Sequence, residues 1–527
     1  MSIGRSCGIL MHPTSLPGKY GIGDLGPRAV AFLEYLAEAG QGWWQLLPLG
    51  PVGIGYSPYQ SPSSFAGNPL LISPERVLEM GLVGKREMPK VPRFPEDHVA
   101  FSAVAAWKEV FLRAAFGAFG AGDPAFRAFV RKQSSWLEDY ALFQALHHHH
   151  GGRPWSTWPQ DVARREPSAL KCWRERLREE VRYQQFVQYL FHVQWSALRA
   201  EAAKRGIRLI GDLPIFVSYD SADVWARPEL FELDESGRPM VVAGVPPDYF
   251  AADGQLWGNP LYRWAVHERE GYDWWIARIK GQLARVDLIR LDHFRGFEAY
   301  WEIPASAPTA ATGRWVPGPG ECFFQAVRER LGSLPLIAED LGDITPAVHA
   351  LRERFELPGM KVLQFAFGGD AGADTYLPHA YPRGCVVYTG THDNDTTRGW
   401  FHATGESTTQ SIDELVAERK FACRYTGADG SEVHWDLIRL AYASVADLAV
   451  IPMQDVLGLG SEARMNVPGK ADGNWTWRLR SAELRGSRTR ERLADLAVVY
   501  GRYNGTPPKR LRARLRGAPP VSVNRGK

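Results

Sequence analysis

Four carboxylates in this chain each follow a short apolar run: Asp212, Asp292, Glu339 and Asp393. A lone acid in such a place is ordinarily a helix N-cap or a surface group. Four aimed at one point are another matter. Converging like charges raise one another's pKa, which costs stability and is kept where an acid and a base are both needed. Cleavage of a glycosidic bond needs such a pair: one carboxylate attacks or stabilises the sugar carbon, and one protonated carboxyl helps the leaving oxygen depart. Arg290 stands two residues before Asp292, so in a strand both side chains leave the same face, and its charge keeps Asp292 ionised as a nucleophile. The plainer reading of the same spacing is a structural ion pair. Glu339 has no cation beside it in sequence, which suits a proton carrier.

The elements that must position these groups are legible as eight apolar runs ending in polar residues, at 8–15, 44–49, 208–217, 287–294, 336–341, 360–367, 386–394 and 448–456. Amphipathic stretches separate them. Ala29, Phe32, Leu33 and Leu36 repeat at helical spacing, as do Ile276, Ile279, Leu283 and Val286, and similar stretches cover 181–205 and 434–446. Strand alternating with helix argues for parallel pairing, and eight units argue for closure. The expected fold is therefore α/β: a (β/α)8 TIM barrel with long insertions in the βα-loops, which would bring the four acids to one mouth. The spacings predict a single barrel over 1–503. An insertion subdomain interrupts it at 61–181 and a loop insertion at 218–272, and a basic, Pro-containing, mobile tail follows at 504–527.

Composition sets the class. Charged residues are 23% and hydrophobic ones 45% of 527 residues, which describes a globular chain rather than a disordered one. The net charge of +3 belongs to the tail, because 505–527 holds seven Lys or Arg and no acid. Neither nucleic acid nor membrane is an expected partner, and a short Arg-rich end is read as solvated. Five scattered cysteines without a CxxC pair read as buried thiols in a reducing, cytoplasmic setting. The N-terminus shows no signal-peptide pattern and no apolar run is long enough to span a bilayer. Residues 147–150 are consecutive histidines, which point in different directions and read as a solvated helix end rather than a metal site. HExxH, Walker-type and GxGxxG patterns are all lacking, so no metal and no cofactor is expected. Sugar rings stack their CH faces on aromatic ones. Tyr59, Tyr249, Phe250 and Trp257 fall in Gly- and Pro-rich sequence that reads as loop, and 246–258 reads as a segment able to cover the mouth.

The wording of the motifs goes further than their spacing. MHPTSLPGKYGIGDLG, SPYQSPSSFAGNPLLI, PPDYFAADGQLWGNPLY, IRLDHFRG, IAEDLG, YTGTHDNDT and ARMNVPG closely resemble the 4-alpha-glucanotransferases of the amylomaltase type, also called disproportionating enzymes, a branch of the α-amylase clan. The resemblance runs from about residue 8 to about residue 502. It implies a nucleophile at Asp292, an acid/base at Glu339, and at Asp393 a group that binds donor-sugar hydroxyls and stabilises the transition state. It implies supporting positions at Arg290, Asp212 and His392, and glucan contacts at Tyr59, Trp257, His293 and Asn394. The family commonly carries an aromatic where this chain has Ile54, which puts an outer glucan platform in question.

The resemblance further implies a glucan donor, either a maltooligosaccharide or derived from starch or glycogen, and a glucan or glucose acceptor. An amylase-like hydrolase and an inactive glucan-binding protein are the competing expectations.

Overall fold

Among the described residues, twelve short strands are specified by runs such as Cys-Val-Val-Tyr and Leu-Ala-Val-Ile-Pro, whose β-branched and apolar residues favour extended backbone buried on both faces. In chain order they are β1 (Ser6–Leu10), β2 (Trp43–Gln45), β3 (Arg208–Pro214), β4 (Val241–Val245), β5 (Gln255–Pro260), β6 (Leu288–Asp292), β7 (Ala299–Pro304), β8 (Arg314–Pro317), β9 (Leu336–Ala338), β10 (Gly359–Val362), β11 (Cys385–Tyr388) and β12 (Leu448–Pro452). The computed structural model describes residues 3–509 and 511, apart from 121, 248–252, 371, 405–409 and 471.

Eight of these strands form one parallel sheet in the order β10-β11-β12-β1-β2-β3-β6-β9. Its two edges meet where the Ala338 N–H donates to the Pro358 carbonyl at 2.9 Å, so the sheet curls into the expected barrel. Helices wrap it as the apolar periodicity predicts. Pro27–Glu38 opens on Pro at its first position and buries Ala29, Phe32, Leu33 and Leu36. Asp273–Leu283 buries Ile276 and Ile279, while Val286 lies past its end, buried in the turn into β6. Arg178–Lys204 and Val433–Ala443 precede β3 and β12.

The stretch between β2 and β3 carries the helices Phe101–Ala118, Pro124–Lys132, Ser134–His149 and Pro167–Arg176. Lys108 ties the helix Phe101–Ala118 to the segment that leaves β2. Its buried ammonium donates to the carbonyls of Leu70 and Ile72. The four histidines close the last turn of Ser134–His149, with His148 and His149 exposed.

Three expectations need correction. The stretch at 218–272 is not plain loop, because β4 and β5 lie in it and join β7 and β8 in an antiparallel sheet of order β5-β4-β7-β8. Trp257 consequently sits on a strand rather than on loop sequence, at the register shift next to Leu256, which pairs with Gly244. The cysteines are free, but only Cys7 and Cys385 are buried; Cys172 and Cys322 are exposed because their helices turn those positions outward.

The far end of the barrel is clasped by Arg502, whose guanidinium donates to the carbonyls of Ser6, Tyr442, Ser444, Ala446 and Asp447. Asn504 continues the clasp, its backbone N–H bonded to Gly40 and its side chain to Gln41 and Gly206. The anchored chain therefore reaches Asn504, one residue into the stretch expected to be tail. Most of the expected tail lies outside the described residues.

Candidate active site

Strand register sets the centre of the site. β3 and β6 pair so that Asp212 lies directly opposite Arg290, and Asp292, last residue of β6, leaves the same face as Arg290. The Arg290 Nη1 stands 2.9 Å from both carboxylate oxygens of Asp212 and 2.7 Å from Oδ1 of Asp292. One guanidinium thus satisfies both readings of the spacing, holding a structural pair with Asp212 and presenting Asp292. Burial opposes the charge on Arg290, yet Asp212 and Asp292 keep it protonated. Burial also raises the Asp212 carboxyl, against the pull of Arg290. Asp212 and Arg290 are sealed under the mouth, whereas the Asp292 side chain is 26% exposed and reaches it.

Glu339 follows β9 directly and is laced to the end of β6. Its N–H donates to the Leu291 carbonyl at 3.1 Å, and its own carbonyl receives the Phe294 N–H at 3.1 Å. Its carboxylate accepts the His293 N–H at 2.7 Å on Oε2 and the Leu341 N–H at 3.1 Å on Oε1. His293 aims that N–H by adopting a left-handed φ of +53°, costly for a residue with a Cβ. Burial pushes the Glu339 carboxyl up to about 7; Arg290 opposes that rise and Asp292 adds to it. The chain therefore sets a carboxyl able to hold a proton at neutral pH beside Asp292, whose neighbour in the chain supplies the hydrogen bond.

Asp393 lies in the loop beyond β11 rather than at the strand's end. The Asn466 Nδ2 donates to its Oδ1 at 2.6 Å, and an Arg464 guanidinium N–H to its carbonyl at 2.6 Å. Neither residue is singled out by sequence reasoning; the ARMNVPG motif that contains both was the available signal. His392 places Nε2 3.3 Å from Asp393 Oδ2 and 2.9 Å from the Tyr59 hydroxyl, which in turn donates to Asp212 at 2.7 Å. The Tyr59 and His392 rings stack at 5.2 Å, with Trp475 beside both. Asn394 uses its side-chain carbonyl in its own turn, accepting the Thr391 N–H and hydroxyl at 2.8 and 2.9 Å.

Across the mouth, Trp257 sets its ring edge-on to His293 at 4.9 Å, and Phe216 packs alongside both. Burial lowers the His293 imidazole to about 4 despite Asp292, so a neutral ring faces this wall. Ile54 is 85% exposed and apart from these groups. Tyr249 and Phe250 lie outside the described residues. The structure thus brings Asp212, Arg290, Asp292, His293 and Glu339 into one cluster, adds Tyr59, His392 and Asp393 through hydrogen bonds and ion pairs, and gives Asn394 a turn-holding contact.

A family model described as 4-alpha-glucanotransferase matches residues 11–484. The chain belongs to that family. It is 54% identical to the 4-alpha-glucanotransferase of Thermus thermophilus, over 92% of this chain and 96% of the relative. It is 49% identical to that of Synechocystis, over 94% and 98%. Among solved structures it resembles the amylomaltase from Streptococcus agalactiae in complex with acarbose, with a TM-score of 0.90, 37% identity and coverage of 95% of this chain and all 100% of that one. The activity is 4-alpha-glucan transfer on α-glucan substrates, as the motifs imply. The barrel expected for it is the barrel observed. Among the described residues, no helix is long and apolar enough to cross a membrane.

Proposed function

We propose that Asp292 is the nucleophile and Glu339 the acid/base of a retaining transfer, with Asp393 stabilising the transition state at the donor sugar. A linear α-1,4-glucan, a maltooligosaccharide or a chain from starch or glycogen, lies across the mouth. Asp292 attacks the anomeric carbon while Glu339 gives its proton to the departing oxygen, and a covalent glycosyl-enzyme forms. Glu339, now ionised, takes the proton from the 4-hydroxyl of a second glucan or glucose, and that oxygen displaces Asp292. Two inversions leave the configuration retained.

The observation that carries this reading is the pairing of Asp292 with Arg290 next to a Glu339 carboxyl fastened to the end of the same strand by the His293 N–H. Arg290, Asp212 and His392 are assigned as its supports, and Tyr59, Trp257, His293 and Asn394 as glucan contacts. Two carboxylates suffice for this chemistry without metal or cofactor. Nucleic acid and membrane have no part in the reading. A cytoplasmic setting belongs to it, supported by five cysteines that are all free.

Sugar and water compete for the intermediate, and exclusion of water by the mouth favours transfer. Incubation with maltotriose alone separates the cases. Longer oligosaccharides together with glucose are expected; maltose and glucose without longer products would mean hydrolysis instead. Asp292→Asn should abolish turnover and keep glucan binding measurable by calorimetry. Unchanged turnover in that variant removes Asp292 from its role.

A further inference from the structure

A cavity of about 30 Å³ adjoins the site, lined by His12, Thr391, His392, Asp395, Gln454 and Arg464 among others. Neither Asp292 nor Glu339 lines it. It has room for one water, which needs about 10–15 Å³, and it offers the two to four polar partners that a buried water requires.

His12 enters two residues past the end of β1, is almost fully enclosed, and buries an Nδ1 that has no hydrogen-bond partner. A buried nitrogen left bare in this way is destabilising. Burial pushes the imidazole down to about 3, and His392 adds to that fall, so His12 is neutral and brings one donor and one acceptor to the cavity. His392 closes the other side. Because Tyr59 gives its hydroxyl proton to Asp212, it receives one from His392 Nε2, and Nδ1 of the His392 ring remains outside that chain. Hydrogen bonds and an ion pair then run from His392 through Tyr59 and Asp212 to Arg290 and Asp292.

We infer that His12 is a positioning residue for glucan transfer: through one water held in this cavity it orients His392, and through His392 it orients Tyr59 and Asp212. The inference rests on the reading of His392 as a support around the donor sugar. Nothing in the family's motif roles assigns His12 a part.

A double-mutant cycle in the full-length enzyme tests it, with maltotriose as substrate and thermal melting alongside. His12→Leu keeps the bulk but removes the donor and acceptor that face the cavity, and should lower kcat roughly ten- to a hundredfold, with a melting temperature close to the parent's. His12→Gln restores a polar group and should recover most of that loss. In a His392→Ala background, His12→Leu should do little more, because the two residues act as one unit. A His392→Ala variant with unchanged kcat and KM defeats the donor-sugar reading, and the inference with it. If His392→Ala is damaging but the two losses multiply, or if His12→Leu stays within about twofold of the parent, only the inference is overturned. Should His12→Leu not fold, a crystal structure of the parent decides: water density bridging the two imidazoles is expected, and a dry cavity refutes it.

Discussion

Glu339 takes its hydrogen bonds from two backbone N–H groups, while the guanidinium of Arg290 goes to Asp212 and Asp292. This division separates a proton carrier from a nucleophile. Transfer should therefore decline as pH rises through about 7, where Glu339 loses its proton, and the small residual rate of Glu339→Gln should lack that limb. Stability follows the same sign. A carboxyl raised from 4.5 to about 7 in the native state contributes stability that is complete below 4.5 and lost as pH rises through 7. Melting curves should accordingly show Glu339→Gln gaining on the parent at pH 8 relative to pH 4. Arg290 and Asp292 were legible together because a strand repeats every two residues, so spacing alone fixed their common face. The Asn466 contact to Asp393 was not legible. It joins two loops far apart in the chain, and no local period relates them.

At the scale of elements, β5 sets Trp257 across from His293. Trp257 is half-buried, so its loss should touch binding more than folding. Trp257→Ala is expected to raise KM for maltotriose about fivefold, the equivalent of ~1 kcal/mol of lost stacking, with the melting temperature little changed. Trp257→Phe should keep most of the affinity, and steady-state kinetics on both variants checks the pair. The barrel's helices were readable because burying one face repeats the apolar signal several times per helix. The antiparallel sheet was not. β8 is four residues long and β7 has only two fully buried positions, too few for alternation to rise above its surroundings. Strand ends were overextended for the opposite reason. Loop residues at the mouth, such as His392 and Thr389, are as buried as the strands that precede them.

Taken as a whole molecule, the barrel is joined at both ends by different chemistry: charged groups at the mouth and backbone carbonyls beneath Arg502. Removing that guanidinium deletes five charge-assisted hydrogen bonds and leaves Tyr442 and Ser444 only Arg5, and Asp447 the Ser6 N–H. Arg502→Leu should cost ~3 kcal/mol or more, seen as a lower melting temperature, and Arg502→Lys should recover little because an ammonium has only three protons to give. Cutting the chain after Asn504 should leave both melting and maltotriose transfer near the parent's, since the last clasping contacts remain. Arg502 also bonds to Ser6, near the opposite terminus. On the ribosome, β1 must wait for the hundreds of residues that separate it from β12 and Arg502 before its last partner and the fastening arginine emerge. The half-made sheet spends that interval with a bare edge, the period in which the newborn protein is most exposed to mispairing with its neighbours.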